Sequence, residues 1–143
     1  MSTKFGTAVW NGSLTEGKGH LKTQSGVLDV DYGWKARSED GQPGTNPEEL
    51  IGAAHAGCFS MALAHMLAGA GFPPKQLNTK ANVKFEKQGE GFAITGIALE
   101  LEADVPKIDE AEFQKHAAAA KAGCPVSKAL SAVPTTLKAT LKK

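Results

Sequence analysis

Apolar and polar residues alternate along the middle of the chain. From Leu77 to Phe85 the odd-numbered positions carry Leu, Thr, Ala, Val and Phe, whereas the even-numbered positions carry only Asn and Lys. Alternation with a period of two is typical of a strand with one buried face. The Gly89-Glu90-Gly91 turn leads into Phe92 to Val105, where apolar side chains again alternate with smaller or charged ones. These two segments therefore predict an antiparallel hairpin.

Strand-forming composition also appears toward both ends of the chain. β-Branched and aromatic residues with Gly and Asn between them predict short strands over Lys4 to Trp10 and His20 to Val30. Leu137 to Leu141 predicts a closing strand.

A helix is predicted to begin at Pro47. Asn46 can cap it, Pro47 suits the first helical position, and Glu49 is placed to complete a capping box. Gly71, with two prolines shortly beyond it, ends the helix after about 24 residues, or roughly 36 Å.

This helix is predicted to carry no charge beyond its first turn, since no Asp, Glu, Lys or Arg occurs from Leu50 to Pro74. Helices that are uncharged on every face are normally buried on every face. One chain of 143 residues is too small to surround such a helix, so we expect a second copy to cover part of it in a symmetric homodimer. The segment is long enough to cross a bilayer, but it is rich in Ala and Gly and lacks flanking basic clusters, so no membrane span is expected.

Two further helices complete the pattern. One begins at Asp109, with Glu112 three residues on, and stops at Gly123. Pro125 predicts a short third helix with Cys124 at its N-cap. The elements together predict an α+β fold, and the chain length predicts a single domain over residues 1–143.

Composition argues against several classes of function. Sixteen Lys and Arg balance fifteen Asp and Glu and are spread along the whole chain, so nucleic-acid binding is not expected. The first ten residues lack the apolar run of a signal peptide, which predicts a cytoplasmic protein. In a reducing compartment the two cysteines are expected to serve chemistry or packing rather than a structural disulfide.

Arg37 stands out among the cations, because the other fifteen are all Lys. Its planar fork can bind a carboxylate through two hydrogen bonds while keeping a permanent charge. Glu49 serves the helix cap, which leaves Glu48 as the carboxylate available to Arg37. The alternative is that Arg37 lies by chance on a Gly- and Pro-rich loop.

The two cysteines differ in their local settings. Cys58 lies mid-helix, three residues after His55 and seven before His65, so the three side chains are expected near one helical face. The absence of Cys-x-x-Cys and His-x-x-x-His pairs argues against zinc, and no metal or organic cofactor is expected. A helix N-terminus stabilises a thiolate at Cys124, whereas Cys58 needs a cation brought to it by the fold, with Arg37 the candidate. Taken alone, the helix terminus favours Cys124 as the nucleophile.

Two motifs resemble a known family. Residues 44–60, GTNPEELIGAAHAGCFS, are similar to the signature of the osmotically inducible protein C (OsmC) family, and residues 122–127, AGCPVS, resemble its second cysteine motif. Residues 25–28 and 91–95 also fit, so the likeness spans nearly the whole chain. The related organic hydroperoxide resistance (Ohr) group shares both cysteine motifs. This chain lacks that group's His-to-Tyr change and N-terminal arginine loop, so OsmC proper is the closer match.

The resemblance implies an OsmC-like fold, with antiparallel sheets wrapped around long central helices in an intertwined homodimer. It also implies a thiol-dependent peroxidase that reduces organic hydroperoxides, and hydrogen peroxide more weakly, and that a thiol or dithiol restores. By motif position Cys58 would be the peroxidatic cysteine and Cys124 the resolving one, passing through a Cys58 sulfenic acid to a Cys58–Cys124 disulfide. Glu48 would be the family's acid and Arg37 the arginine that pairs with it.

The resemblance and the local physics disagree about which cysteine reacts first. An arginine within about 4–6 Å of Cys58 shifts a pKa by about one to three units, which exceeds the effect of a helix dipole on Cys124. We therefore expect Cys58 to react first. Two other functions stay open: a non-enzymatic dimeric binding protein for a lipid-like ligand, and a thiol-dependent hydrolase that uses Cys58 with His55.

Overall fold

The computed structural model describes residues 1–143, and the chain divides into two compact units. The first unit is Met1–Leu50 and the second is Ile51–Lys143. The single domain expected from the chain length stays a prediction.

The first unit holds a three-stranded antiparallel sheet in the order β1-β2-β3. Its strands are β1 (Gly6–Asn11), β2 (Lys18–Thr23) and β3 (Asp29–Tyr32). The short strands predicted for this part of the chain are confirmed, and a tight turn divides the segment from His20 to Val30 between β2 and β3. Gly26 occupies this turn with a φ of 76°, a conformation that favours glycine over other residues.

A short helix, α1 (Trp34–Ser38), follows the sheet and carries Arg37. The alternative that placed Arg37 on a Gly- and Pro-rich loop is therefore wrong about its location. The five residues WKARS contain no Gly or Pro, so the Gly and Pro residues that suggested a loop lie outside the helix. The consequence is that Arg37 is carried by a regular element.

The long helix, α2, spans Pro47–Gly69 and begins as predicted. The side chain of Asn46 accepts a 2.9 Å hydrogen bond from the backbone N–H of Glu49, which is one half of a capping box. The carboxylate of Glu49 instead accepts a hydrogen bond from the Thr45 hydroxyl. At the other end Gly71 has a φ of 92°, and the chain leaves the helix there.

The second unit holds a mixed three-stranded sheet in the order β4-β5-β6. Strands β4 (Gln76–Gln88) and β5 (Gly91–Asp104) form the predicted antiparallel hairpin. Strand β6 (Thr135–Leu141) pairs with β5 in the parallel sense, so the expectation of antiparallel sheets is wrong for this pair. The chain returns from β5 to β6 through helices, and a crossover of that length permits parallel pairing.

The crossover consists of helix α3 (Glu110–Gly123) and helix α4 (Pro125–Ala129). Asp109 caps α3, and its side chain accepts a 2.8 Å hydrogen bond from the backbone N–H of Glu112. Cys124 is both the C-cap of α3 and the N-cap of α4, as predicted. The α3–α4 junction therefore fixes the position of this cysteine.

Helix α2 and strand β5 supply most of the core of the second unit. Phe59, Leu63 and Leu67 recur every four residues on α2 and are fully buried. Alternate residues of β5, which include Leu99 and Leu101, are buried with them. By length and composition α2 could also cross a membrane, with a mean hydropathy of 1.4 over its most apolar window. Here one side of the helix packs into protein.

The other side of α2 is exposed, as expected for a helix that one chain of this size cannot surround. Beyond Glu49 in the first turn, the exposed positions of the helix carry no charge and lie mostly three or four residues apart along one stripe: Ala53, Ala54, Gly57, Met61, His65, Ala68 and Gly69. Met61 is the largest apolar side chain of this exposed stripe. The second copy expected to cover it stays a prediction.

Candidate active site

The second unit brings its two free cysteines together, although 66 positions separate them in the sequence. Cys58 lies in the middle of α2 and is partly exposed, whereas Cys124 is fully buried at the junction of α3 and α4. The two thiols lie close enough that each shifts the pKa of the other. The geometry is that of a reduced dithiol with one accessible sulfur and one enclosed sulfur.

The surroundings shift the pKa values of the two thiols in opposite directions. Burial raises the pKa of Cys58, and its hydrogen bond with Cys124 raises it further. Burial also raises the pKa of Cys124, but hydrogen bonds from Cys58 and from the amide and hydroxyl of Ser127 outweigh burial and lower it. The pKa of Cys124 is therefore lowered, as predicted, but the largest single lowering contribution comes from Cys58 rather than from the amides at the helix terminus, and the Cys124 side chain makes no capping hydrogen bond.

His55 lies one turn before Cys58 on α2 and is fully buried. Its Nε2 is 2.7 Å from the Oγ of Ser127, and its Nδ1 is buried without a hydrogen-bond partner. Burial lowers the pKa of His55, which favours the neutral imidazole at neutral pH. The hydrolase hypothesis requires His55 to serve Cys58, but the imidazole bonds to Ser127 instead. His65 is exposed, whereas His55 is buried, so the two histidines have different surroundings.

The first unit contains the predicted pair of Arg37 and Glu48. The Arg37 Nε donates to Glu48 Oε1 at 2.9 Å and to Oε2 at 3.1 Å, and its Nη2 donates to Oε1 at 2.7 Å. The Glu48 side chain is 8% exposed and that of Arg37 is 33% exposed. Asn46 ties the two elements together, since its side-chain amide donates to the Ala36 carbonyl at 2.8 Å. The pairing inferred from the single Arg is therefore confirmed.

A cavity of about 290 Å³ borders Arg37 within the first unit. Apolar and aromatic side chains line it, including Trp10, Tyr32 and Trp34. The guanidinium of Arg37 is thus held by a carboxylate while part of the side chain faces an aromatic pocket. No group of three or more His, Cys, Asp or Glu side chains is arranged to hold a metal ion.

The sequence matches a known family over most of its length. The family model described as OsmC-like protein matches residues 38–138. The chain belongs to the OsmC-like protein family. Peroxiredoxin OsmC of Escherichia coli (strain K12) is 55% identical over 130 residues, which cover 90% of each chain. The organic hydroperoxide resistance protein OhrB of Bacillus subtilis (strain 168) is 32% identical over 112 residues, which cover 78% of this chain and 80% of that one.

Solved structures of the same family share the fold. An organic hydroperoxide resistance protein from Elizabethkingia anophelis superimposes with a TM-score of 0.76 at 26% identity, covering 99% of this chain and 98% of that one. The α+β class is therefore confirmed. The family relationship also confirms the enzyme class, a cysteine-based peroxidase.

The range matched by the family model contains three of the four predicted site residues. Glu48, Cys58 and Cys124 lie inside the matched range, whereas Arg37 lies one residue before it begins. The individual roles given to these four residues stay predictions. Ser127 was part of the AGCPVS motif but received no role from the sequence; its hydroxyl is 2.7 Å from His55 Nε2, and its side chain contributes to the lowered pKa of Cys124.

Proposed function

We propose that this OsmC-family protein reduces organic hydroperoxides to alcohols with Cys58 and Cys124, and that a thiol or dithiol restores it. One observation carries the proposal: an accessible thiol and a buried thiol are in contact, and both are free. A dithiol of this kind can accept one oxygen atom and then close to a disulfide.

In the first step the Cys58 thiolate attacks one oxygen of the hydroperoxide and the O–O bond breaks. The sulfur becomes a sulfenic acid, and the departing alkoxide takes a proton and leaves as the alcohol. The peroxide is reduced by two electrons and the sulfur is oxidised by two. No metal or organic cofactor takes part in this exchange.

The exposure of Cys58 supports it as the attacking residue, even though Cys124 has the lower pKa of the two thiols. A peroxide can approach the partly exposed Cys58, whereas Cys124 has no exposed surface. The two protons of an interacting pair belong to the pair rather than to either sulfur, so the pKa order alone does not assign the nucleophile. We propose that Arg37 stabilises the Cys58 thiolate and orients the peroxide, and that Glu48 holds the guanidinium in position.

In the second step Cys124 attacks the sulfenic acid of Cys58. The S–S bond forms, the S–O bond breaks, and the oxygen leaves as water. A small thiol or dithiol then reduces the disulfide by thiol–disulfide exchange and regenerates both thiols.

The surface beside Cys58 supports an organic substrate. Ala54 precedes it by one turn and Met61 follows it by one turn, and both are exposed and uncharged. A surface of this kind favours contact with an alkyl or aryl group. We therefore propose that organic hydroperoxides are reduced faster than hydrogen peroxide.

The exposed stripe of α2 supports a homodimer in the intertwined form implied by the family. A stripe of uncharged residues in which Met61 is 76% exposed is an apolar surface that a second copy can cover. We propose that sheets of both copies wrap around the α2 helices in that dimer. We also propose a cytoplasmic location, where small thiols are available as reductants.

Turnover and mass spectrometry together test the proposed function. We expect the protein to consume cumene hydroperoxide repeatedly with dithiothreitol present. One equivalent without reductant should remove two hydrogen atoms from the mass of the chain, as required for a disulfide. Binding of the peroxide without consumption, and with an unchanged mass, would instead support the binding-protein alternative.

A further inference from the structure

The His55–Ser127 hydrogen bond is not used by the reaction described above. It joins two residues that are 72 positions apart, and it lies within the second unit beside the buried Cys124. Ser127 is three residues after Cys124, which is the position whose groups face the N-cap side chain in the first turn of a helix. His55 Nε2 is 2.7 Å from the Ser127 hydroxyl, and the Ser127 side chain is among the groups that lower the pKa of Cys124. A chain of contacts therefore runs from His55 through Ser127 to Cys124.

The direction of the hydrogen bonds follows from the unpartnered nitrogen of His55. If Nε2 accepted the Ser127 proton, Nδ1 would carry a buried N–H with no acceptor. If Nε2 carries the proton, Nδ1 is left with only a lone pair, and a buried donor without a partner is rarer than an under-satisfied acceptor. The favoured tautomer therefore has Nε2–H donating to Ser127 Oγ. The serine proton is then free to point at Cys124.

We propose that His55 and Ser127 are positioning residues for the resolving step: the imidazole holds the Ser127 hydroxyl so that it donates to the Cys124 sulfur. This inference rests on the proposed function. In that step the Cys124 thiolate attacks the Cys58 sulfur, the S–S bond forms and the S–O bond breaks. The departing hydroxide takes up the proton that Cys124 has lost and leaves as water. The Cys124 sulfur is formally oxidised by one electron and the sulfenic sulfur of Cys58 is reduced by one, so the step needs no further oxidant.

The burial of Cys124 explains why it needs such a donor. Burial disfavours a thiolate, and the interactions that offset burial come from Cys58 on α2 and from Ser127 and Val126 on α4. No charged side chain is among them. Once Cys58 has become a sulfenic acid its thiol no longer donates, so Ser127 supplies the remaining side-chain hydrogen bond to Cys124.

Ser127→Ala tests the proposal through the pH dependence of the resolving step. Losing one hydrogen bond to a charged sulfur raises its pKa by about one unit. At a pH below the Cys124 pKa of both proteins, the variant has about tenfold less Cys124 thiolate than the unmodified protein. Its more basic thiolate is about threefold more nucleophilic, so the resolving step is about threefold slower in the variant. Above both pKa values only nucleophilicity differs, and the variant is about threefold faster. The two pH profiles should therefore cross.

The measurement uses the full chain without reductant, mixed with one equivalent of cumene hydroperoxide between about pH 5 and 10. Dimedone added at timed intervals traps the remaining sulfenic acid, and mass spectrometry counts it against the disulfide. Ser60→Ala is the matched control, because it removes another 2.7 Å side-chain hydrogen bond from α2, to Thr79, with no link to Cys124. Its resolving profile should superimpose on that of the unmodified protein.

His55 variants test the other half of the pair. His55→Gln keeps an N–H donor near the position of Nε2 and should retain the original pH profile, whereas His55→Leu removes the donor and should reproduce the profile of Ser127→Ala. Crossing profiles with rescue by glutamine support the proposal. Superimposed profiles, or a constant slowing at every pH, would overturn it while leaving peroxide reduction intact. If the unmodified protein forms neither a sulfenic acid nor a disulfide, the proposed function fails and the inference fails with it.

Discussion

The pair of Arg37 and Glu48 should be worth more than an ordinary surface ion pair, and a double-mutant cycle measures how much. Three N–H···O contacts of 2.7 to 3.1 Å join the two side chains, and the Glu48 side chain is 8% exposed. Breaking a buried pair costs about 3–5 kcal/mol, whereas exposed pairs contribute about 0–1 kcal/mol. Because the Arg37 side chain is 33% exposed, we expect an intermediate coupling energy of about 2 kcal/mol.

The cycle compares Arg37→Met, Glu48→Gln and the double variant by urea unfolding at one fixed protomer concentration. Lys84 and Glu86 provide the control cycle, because their ion pair at 3.1 Å is exposed, with side-chain exposures of 68% and 41%. We expect the control pair to couple by less than about 0.5 kcal/mol. A coupling energy for Arg37 and Glu48 no larger than that of the control pair would refute the view that burial and the forked contact make this pair strong.

Three further predictions concern activity, assembly and titration. Arg37→Lys should lose most peroxidase activity, because a point charge cannot reproduce the forked contact with Glu48. The control variant Lys35→Met should keep nearly normal activity. Equal activities of the two variants would show that the forked contact is dispensable. Sedimentation at nanomolar concentration should find a dimer, and Met61→Glu should give monomers by placing a charge on the exposed stripe; a monomeric unmodified protein would contradict the predicted dimer. Hydrogen bonds that the His20 imidazole donates to the carboxylates of Asp29 and Asp31 raise the pKa of His20 above 6.5, so NMR titration should show a raised midpoint that Asp29→Asn lowers. Any contribution of the His20 imidazolium to the stability of the fold is then fully present below the ordinary histidine pKa and is lost as pH rises through the raised pKa. An unshifted midpoint for His20 would contradict the raised pKa.

Local signals in the sequence predicted the helix ends and the hairpin well. Asn46 and Asp109 each accept a hydrogen bond from the residue three positions on, as their place before a helix predicts. The alternation in β5 matches its buried positions, because a strand with one core-facing side repeats every two residues. The pairing of Arg37 with Glu48 was predictable for a different reason, since the chain offers one Arg and the neighbouring Glu49 lies in the helix cap.

Contacts between distant parts of the chain were not predictable from such signals. Strand β6 has the expected composition, but its parallel pairing with β5 depends on how α3 and α4 pack between them. The contact between Cys58 and Cys124 was available only through the family resemblance, because spacing alone does not bring a mid-helix residue to a helix junction. The link from His55 to Ser127 had no signal beyond the presence of a polar residue on an apolar helix.

The assignment of roles to the two cysteines is tested most directly by finding which one takes up the oxygen. Cys124→Ser should react rapidly with one equivalent of cumene hydroperoxide, stop at a sulfenic acid that dimedone traps on Cys58, and lose turnover. Cys58→Ser should lose rapid peroxide consumption. If Cys58→Ser instead consumes one equivalent rapidly and carries the sulfenic acid on Cys124, the roles proposed for the two cysteines are reversed.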